Sequence, residues 1–145
     1  MQRVPRLIAG LFITCFLIIE TTASGQSVAD NYSAITENML IEPPAEDWPM
    51  WRRTYGHWGN SPLEQINTSN VASLRLAWAW TMVDGRQETT PLVHDGMMFL
   101  VQACDFVEAL DLRDGSRIWE YRRDEVEHPA PLACVNRNGV LYEDK

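Results

Sequence analysis

Positive charge is scarce in this chain. Its 145 residues hold 12 Lys and Arg against 20 Asp and Glu, a formal net charge of -8. An acidic surface repels phosphates, which argues against a nucleic-acid partner and against an anionic membrane surface. Histidine is rarer still. His57, His94 and His128 are scattered without metal-ligand spacing, and His94, beside a turn, is expected to be exposed. No amphipathic helical pattern of convincing length follows Asn70. The apolar run at the N-terminus is short for the roughly 20 residues that span a bilayer. What remains is an acidic, helix-poor globular chain whose length suggests one domain.

Tryptophan is what the chain has in excess. All 6 lie between Trp48 and Trp119, and so large a ring is costly unless packed, so a core is expected there. The N-terminus stands apart. Arg3 and Arg6 precede the apolar run Leu7–Ile19, and the small and polar residues Glu20–Ser27 follow. This is the order of a secretory signal, residues 1–25, with cleavage expected after Ala23 or Gly25; an uncleaved membrane anchor is the rival reading. Either places the rest of the chain outside the cytoplasm. Cys15 lies in that run within a weak lipidation box, which leaves Cys104 and Cys134 in an oxidising compartment. A bridge and two separately buried thiols both fit this pair.

Residues 26–46 are polar and end in "IEPPAED", and they read as a flexible leader. Ile35–Ile41 could form a short helical turn. From Asp47 the sequence turns dense in aromatics, Gly and Pro. Asn67 or Thr68 could cap a brief turn, and Leu74–Trp80 alternates as a strand. Further strands are expected at Thr89–Val93, Met97–Gln102, Phe106–Asp111 and Arg117–Arg122. Asp95–Gly96 and Asp114–Gly115 supply two tight turns. "LRLAWAW" and "SRIWEY" both place tryptophan near a strand end, about 40 residues apart, which is the period of propeller blades. The reading is all-β: roughly one propeller blade with parts of its neighbours, the front piece of a longer protein.

"ALDLRDGSRIWEY" fits A-x-D-x-x-x-G-x-x-x-W through Ala109, Asp111, Gly115 and Trp119. This resembles the tryptophan-docking motif of the quinoprotein dehydrogenases, eight-bladed propellers that use pyrroloquinoline quinone (PQQ). That motif usually carries Thr before the Gly, where Asp114 stands here. "WRRTYGHWGNSPLEQINTSNVASLRLAWAW" resembles the family's N-terminal lead-in, notably at Trp51, Tyr55, Ser61, Pro62, Leu63, Ile66, Asn70 and Val71. "QETTPLVHDGMMFL" resembles its first-blade strand. The resemblance covers residues 47–145. WD-repeat propellers fit less well, since no Trp-Asp dipeptide ends a strand.

The resemblance gives Glu88 a meaning. By sequence alone it is an acid at the mouth of a strand built for burial, and a solvated strand-end role is the plain reading. In the family the matching acid faces the central funnel and accepts a hydrogen bond from the quinone cofactor. Arg137 resembles the arginine that donates to the quinone oxygens as they gain charge, a task for a planar, permanently charged group; a surface hairpin arginine is the alternative. Many alcohol-oxidising members carry two adjacent cysteines just upstream. Here "PAPLACVNRN" places Pro131 and Leu132 at those positions and leaves Cys134 alone, so the chain resembles the branch without the pair. That departure weakens a methanol- or ethanol-type assignment more than it weakens cofactor binding.

The resemblance implies the N-terminal part of a periplasmic enzyme that oxidises an alcohol or sugar hydroxyl by hydride transfer to PQQ. A cytochrome c or the quinone pool would take the electrons. Calcium or a lanthanide would polarise the quinone, and its ligands and the catalytic aspartate base lie outside this sequence, so the fragment alone is expected to be inactive. A non-catalytic envelope propeller with similar repeats is the runner-up. A complete small β domain is a third reading, weakened by the open sheet edges it would leave. If the N-terminal reading holds, N-terminal sequencing of the mature protein starts at Ser24 or Gln26; an intact Met1 would favour the anchor.

Overall fold

The computed structural model describes residues 27–123 and 135–144, so the proposed signal segment and Cys134 lie outside the described residues. Strands β1 (Leu92–His94), β2 (Met97–Gln102), β3 (Phe106–Asp111) and β4 (Arg117–Arg122) form one antiparallel sheet in sequence order. The turns between the strands set their register. Asp95 and Gly96 have φ of 47° and 76°, the left-handed pair that joins two strands most tightly. Gly115, at φ 76°, closes the turn after β3 by donating to the Asp111 carbonyl at 2.8 Å. A 3-10 turn, Ala103–Asp105, joins β2 to β3.

The motif residues pack for a physical reason. Phe99, Ala109 and Trp119 lie side by side on β2, β3 and β4. Only a methyl stands in the middle, so the two rings reach across it to a centroid separation of 6.0 Å. Trp78 lies against Gly115, where a Cβ would meet the indole at 2.7 Å, and its Nε1 donates to the Leu112 carbonyl at 3.0 Å. Glycine is required here twice, by its positive φ and by the ring above it.

Strands β2, β3 and β4 have the limits expected from sequence. β1 starts at Leu92 rather than Thr89, because Pro91 has no N–H to extend the ladder. Leu74–Trp80 forms no strand. Its Leu74 and Leu76 are 55% and 83% exposed, and its two indoles bond to the sheet instead of pairing edge to edge.

Two expectations are corrected. Residues 27–46 are packed rather than a loose leader. Ile35 and Leu40 are buried in the same cluster as Leu92, Met97, Phe99 and Leu141. Helix α1 (Glu37–Ile41) is capped by the Thr36 hydroxyl, and Ile35 exchanges two 2.8 Å backbone bonds with Glu143. Burying two such aliphatic side chains contributes about 1.5–3 kcal/mol each, enough to hold a polar-looking segment down.

His94 is the second correction, for it is 1% exposed. Its Nδ1 lies 2.6 Å from Asp47 Oδ2, and its Nε2 lies 2.9 Å from the Ser33 carbonyl and 3.2 Å from Asp95 Oδ2. Oxygen atoms of Asp47, Ser33 and Asp95 therefore face both ring nitrogens. Asp95 Oδ2 also accepts from Ser33 N and Oγ, each at 2.7 Å. This cluster clasps the leader, the lead-in and β1 together.

His94→Leu would strand the buried Asp47 carboxylate, so it is expected to cost about 3 kcal/mol in urea denaturation, with Asp47→Leu/His94→Leu recovering part. Asp95 gives a pH signature. Partial burial pushes its carboxyl up, but the Ser33 bonds and His94 outweigh this and hold it below the ordinary value of 3.8. A depressed carboxylate stabilises the fold above its unfolded pKa and loses that contribution as pH falls through the folded one. Thermal melts should therefore show Asp95→Asn less stable than the native protein at neutral pH, with the gap closing as pH drops below 3.8.

Candidate cofactor site

Residues 81–91 lead into β1 without forming a strand, so their backbone groups need other partners. Gln102 of the sheet and Gln87 of the segment itself supply them at Val83. Glu108, 1% exposed on β3, accepts from Trp80 Nε1 at 2.6 Å and from Gln102 Nε2. Gln102 Oε1 accepts from Val83 N at 2.7 Å. Gln87 reaches back to the Val83 carbonyl at 2.7 Å, and its Oε1 accepts from Ala103 N at 3.2 Å. Three side-chain contacts thus replace a ladder and fix the segment that carries Glu88.

Arg137 arrives from the other side of the sequence. Asn136 Nδ2 donates to the Gln102 carbonyl and to Asp105 Oδ1, each at 2.9 Å. The next residue then sets its guanidinium against Glu88, with Nε donating to Oε2 at 3.0 Å. Arg86 Nη1 lies 3.8 Å from the other carboxylate oxygen. The two residues singled out in the sequence, 49 positions apart, therefore meet. Their side chains are 35% and 77% exposed, so the pair adds little stability of its own. It is better suited to presenting donors and an acceptor to a ligand. Only Nε of Arg137 is engaged among the described residues, which leaves the rest of its fork open.

The turn beneath the pair is unusual. Cys104 and Asp105 both adopt positive φ, 59° and 57°. Two non-glycine residues in this region cost of order 1–3 kcal/mol each and persist only when their surroundings hold them. Asp105 receives Asn136 and also Arg123, at 2.8 Å, and Cys104 is disulfide-bonded. The reading of Cys104 as a separate buried thiol therefore falls. Among the described residues no group of three His, Cys, Asp or Glu gathers to hold a metal, and no helix is long and apolar enough to cross a membrane.

Sequence reasoning missed Gln87, Gln102, Glu108 and Asn136. Gln87 and Asn136 directly precede the two residues it singled out, and that adjacency was the available signal. Gln102 and Glu108 carried only a weak sign, polar side chains inside strands otherwise built for burial.

The four-stranded antiparallel sheet with an indole seated on its turn glycine is a single propeller-type blade, and the acid–arginine pair joins the segments before and after it. The family model for the β-propeller domain of glucose/ethanol/alcohol dehydrogenases, PQQ, matches residues 48–145, and the chain belongs to that family. It is 40% identical over 103 residues to quinohemoprotein alcohol dehydrogenase ADH-IIG of Pseudomonas putida, covering 68% of this chain and 14% of that protein. It is 44% identical over 104 residues to the dehydrogenase subunit of an alcohol dehydrogenase (quinone) from Acetobacter aceti, covering 69% and 14%. The structure of ADHIIG from Pseudomonas putida HK5 superposes with a TM-score of 0.66 at 32% identity, over 76% of this chain and 17% of that one. The chain thus spans only a small part of the length of the relatives it matches.

Proposed function

We propose that this chain supplies the first blade, and one wall of the cofactor pocket, of a periplasmic PQQ-dependent dehydrogenase that oxidises an alcohol. The observation that carries this is the Glu88–Arg137 pair, held at 3.0 Å beside the docked blade. The site suits the group. PQQ is a planar, oxygen-rich anion, and Arg137 offers it charged, in-plane donors while Glu88 offers an acceptor. When bound, PQQ supplies a two-electron quinone acceptor for the alcohol. Arg137 would orient the ring system and stabilise negative charge on its oxygens. Glu88 would hold the guanidinium in plane and accept a hydrogen bond from the cofactor.

The names of the relatives favour an alcohol over a sugar as substrate and a quinone or haem as the next electron carrier. The signal-like N-terminus supports the periplasm. Calcium or a lanthanide remains part of this reading, with ligands from outside the described residues.

The test is PQQ titration of the purified full-length apo-protein, followed by quinone absorbance and by PQQ-dependent oxidation of ethanol and glucose. Arg137→Ala and Glu88→Gln are expected to weaken PQQ binding about tenfold or more, since each removes a charged hydrogen-bond partner. Their melting temperatures should stay near native, because an ion pair this open to solvent adds little stability. A full-length protein that neither binds PQQ nor oxidises either substrate would overturn the proposal in favour of a non-catalytic propeller.

A further inference from the structure

Gln87 and Asn136 have no evident business with a ligand, yet they are the residues through which the site is tied to the sheet. A side chain tied to the sheet fixes the backbone from which the next residue projects. Gln87 turns inward to the Val83 carbonyl and Ala103 N, and Glu88 follows it outward. Asn136 turns inward to the Gln102 carbonyl and Asp105 Oδ1, and Arg137 follows it outward. Both anchors end on the same short stretch, Gln102–Asp105.

That stretch is a firm base. It is flanked by β2 and β3, which stay in register from Met97↔Asp111 to Gln102↔Phe106. Gln102 and Ala103 are 0% and 1% exposed. The left-handed pair Cys104 and Asp105 is held by a disulfide at one residue and by Asn136 and Arg123 at the other. No backbone hydrogen bond joins residue 88 to residue 137 among the described residues. Their spacing is set through this common base and the contact between their own side chains.

We infer that the Gln102–Asp105 turn is the positioning element of the pocket, and that Gln87 and Asn136 are positioning residues that set Glu88 and Arg137 to the spacing the ligand requires. This rests on the reading of that pair as a PQQ site. Neither residue touches the ligand in this scheme. Each acts through the residue after it, so its effect should vanish once that residue is gone.

Double-mutant cycles on the full-length protein test this, with the dissociation constant for PQQ as the readout. Asn136→Ala is expected to weaken binding about tenfold, as loss of an orienting outer-shell partner does elsewhere. In an Arg137→Ala background the same change should cost less than about twofold. Gln87→Ala is expected to behave alike in the native and Glu88→Ala backgrounds. Equal losses in both backgrounds would mean a general structural role and would overturn the inference, as would no loss at all. If Arg137→Ala and Glu88→Ala themselves leave PQQ affinity unchanged, the cofactor reading fails first and takes this one with it. Should Asn136→Ala fail to fold, Asn136→Ser, which keeps a donor of shorter reach, makes the same comparison.

Discussion

The site depends on how Gln102 satisfies its buried amide. The residue is 0% exposed, so every polar atom it owns needs a protein partner. Its side chain donates to Glu108 and accepts from Val83 N, while its carbonyl accepts from Asn136. Those three partners belong to β3, to the segment before β1 and to the segment after the sheet. One buried residue, through its side chain and its carbonyl, thereby joins parts of the chain that share no ladder. Without it Glu108 would lose one of the two donors on Oε1, and a buried carboxylate with too few donors is far costlier than a lost surface contact. The Glu88–Arg137 pair rests on this buried network, and its own attraction adds little stability.

The two ends of the docking motif divide the stabilisation differently. Ala109 and Gly115 act by being small: each leaves room for an aromatic ring that would otherwise be displaced. Trp78 completes the contact on Gly115, and its indole N–H finds the Leu112 carbonyl, so both its apolar body and its polar edge are satisfied. Trp119 stands at the matching point of the next repeat, 41% exposed, with Phe99 on one side of it. A repeat built this way buries its rings against neighbours and not within itself, which is why propeller blades stabilise one another around a ring.

Local features were legible in the sequence and distant ones were not. β2, β3 and β4 follow from short apolar and aromatic runs set off by turn signals such as Asp95–Gly96 and Asp114–Gly115, all contained within a few residues. His94 looked like a turn neighbour because its partners are remote: Asp47 lies 47 positions away and Ser33 lies 61. The leader looked loose because Ile35 and Leu40 are spaced among polar residues, and their burial depends on a sheet formed much later in the chain. Leu74–Trp80 showed a strand's alternation, but alternation records which side chains seek cover and not whether a backbone neighbour exists to pair with.

Glu88 and Arg137 sit between these cases. Nothing in their local chemistry separates a ligand-facing acid or arginine from a solvated one, and only the resemblance brought them forward. The geometry adds a physical criterion. A solvated surface pair would need no support from below, since its free energy is near zero and its side chains are free to move. Here each member follows a residue whose amide side chain is bonded to the same left-handed turn, at Ala103 N for one and at Gln102 and Asp105 for the other. Holding two exposed, weakly interacting groups on a backbone that is itself costly to maintain gives little to stability. It is what a pocket needs when it must meet a rigid ligand with its donors and acceptor already in place.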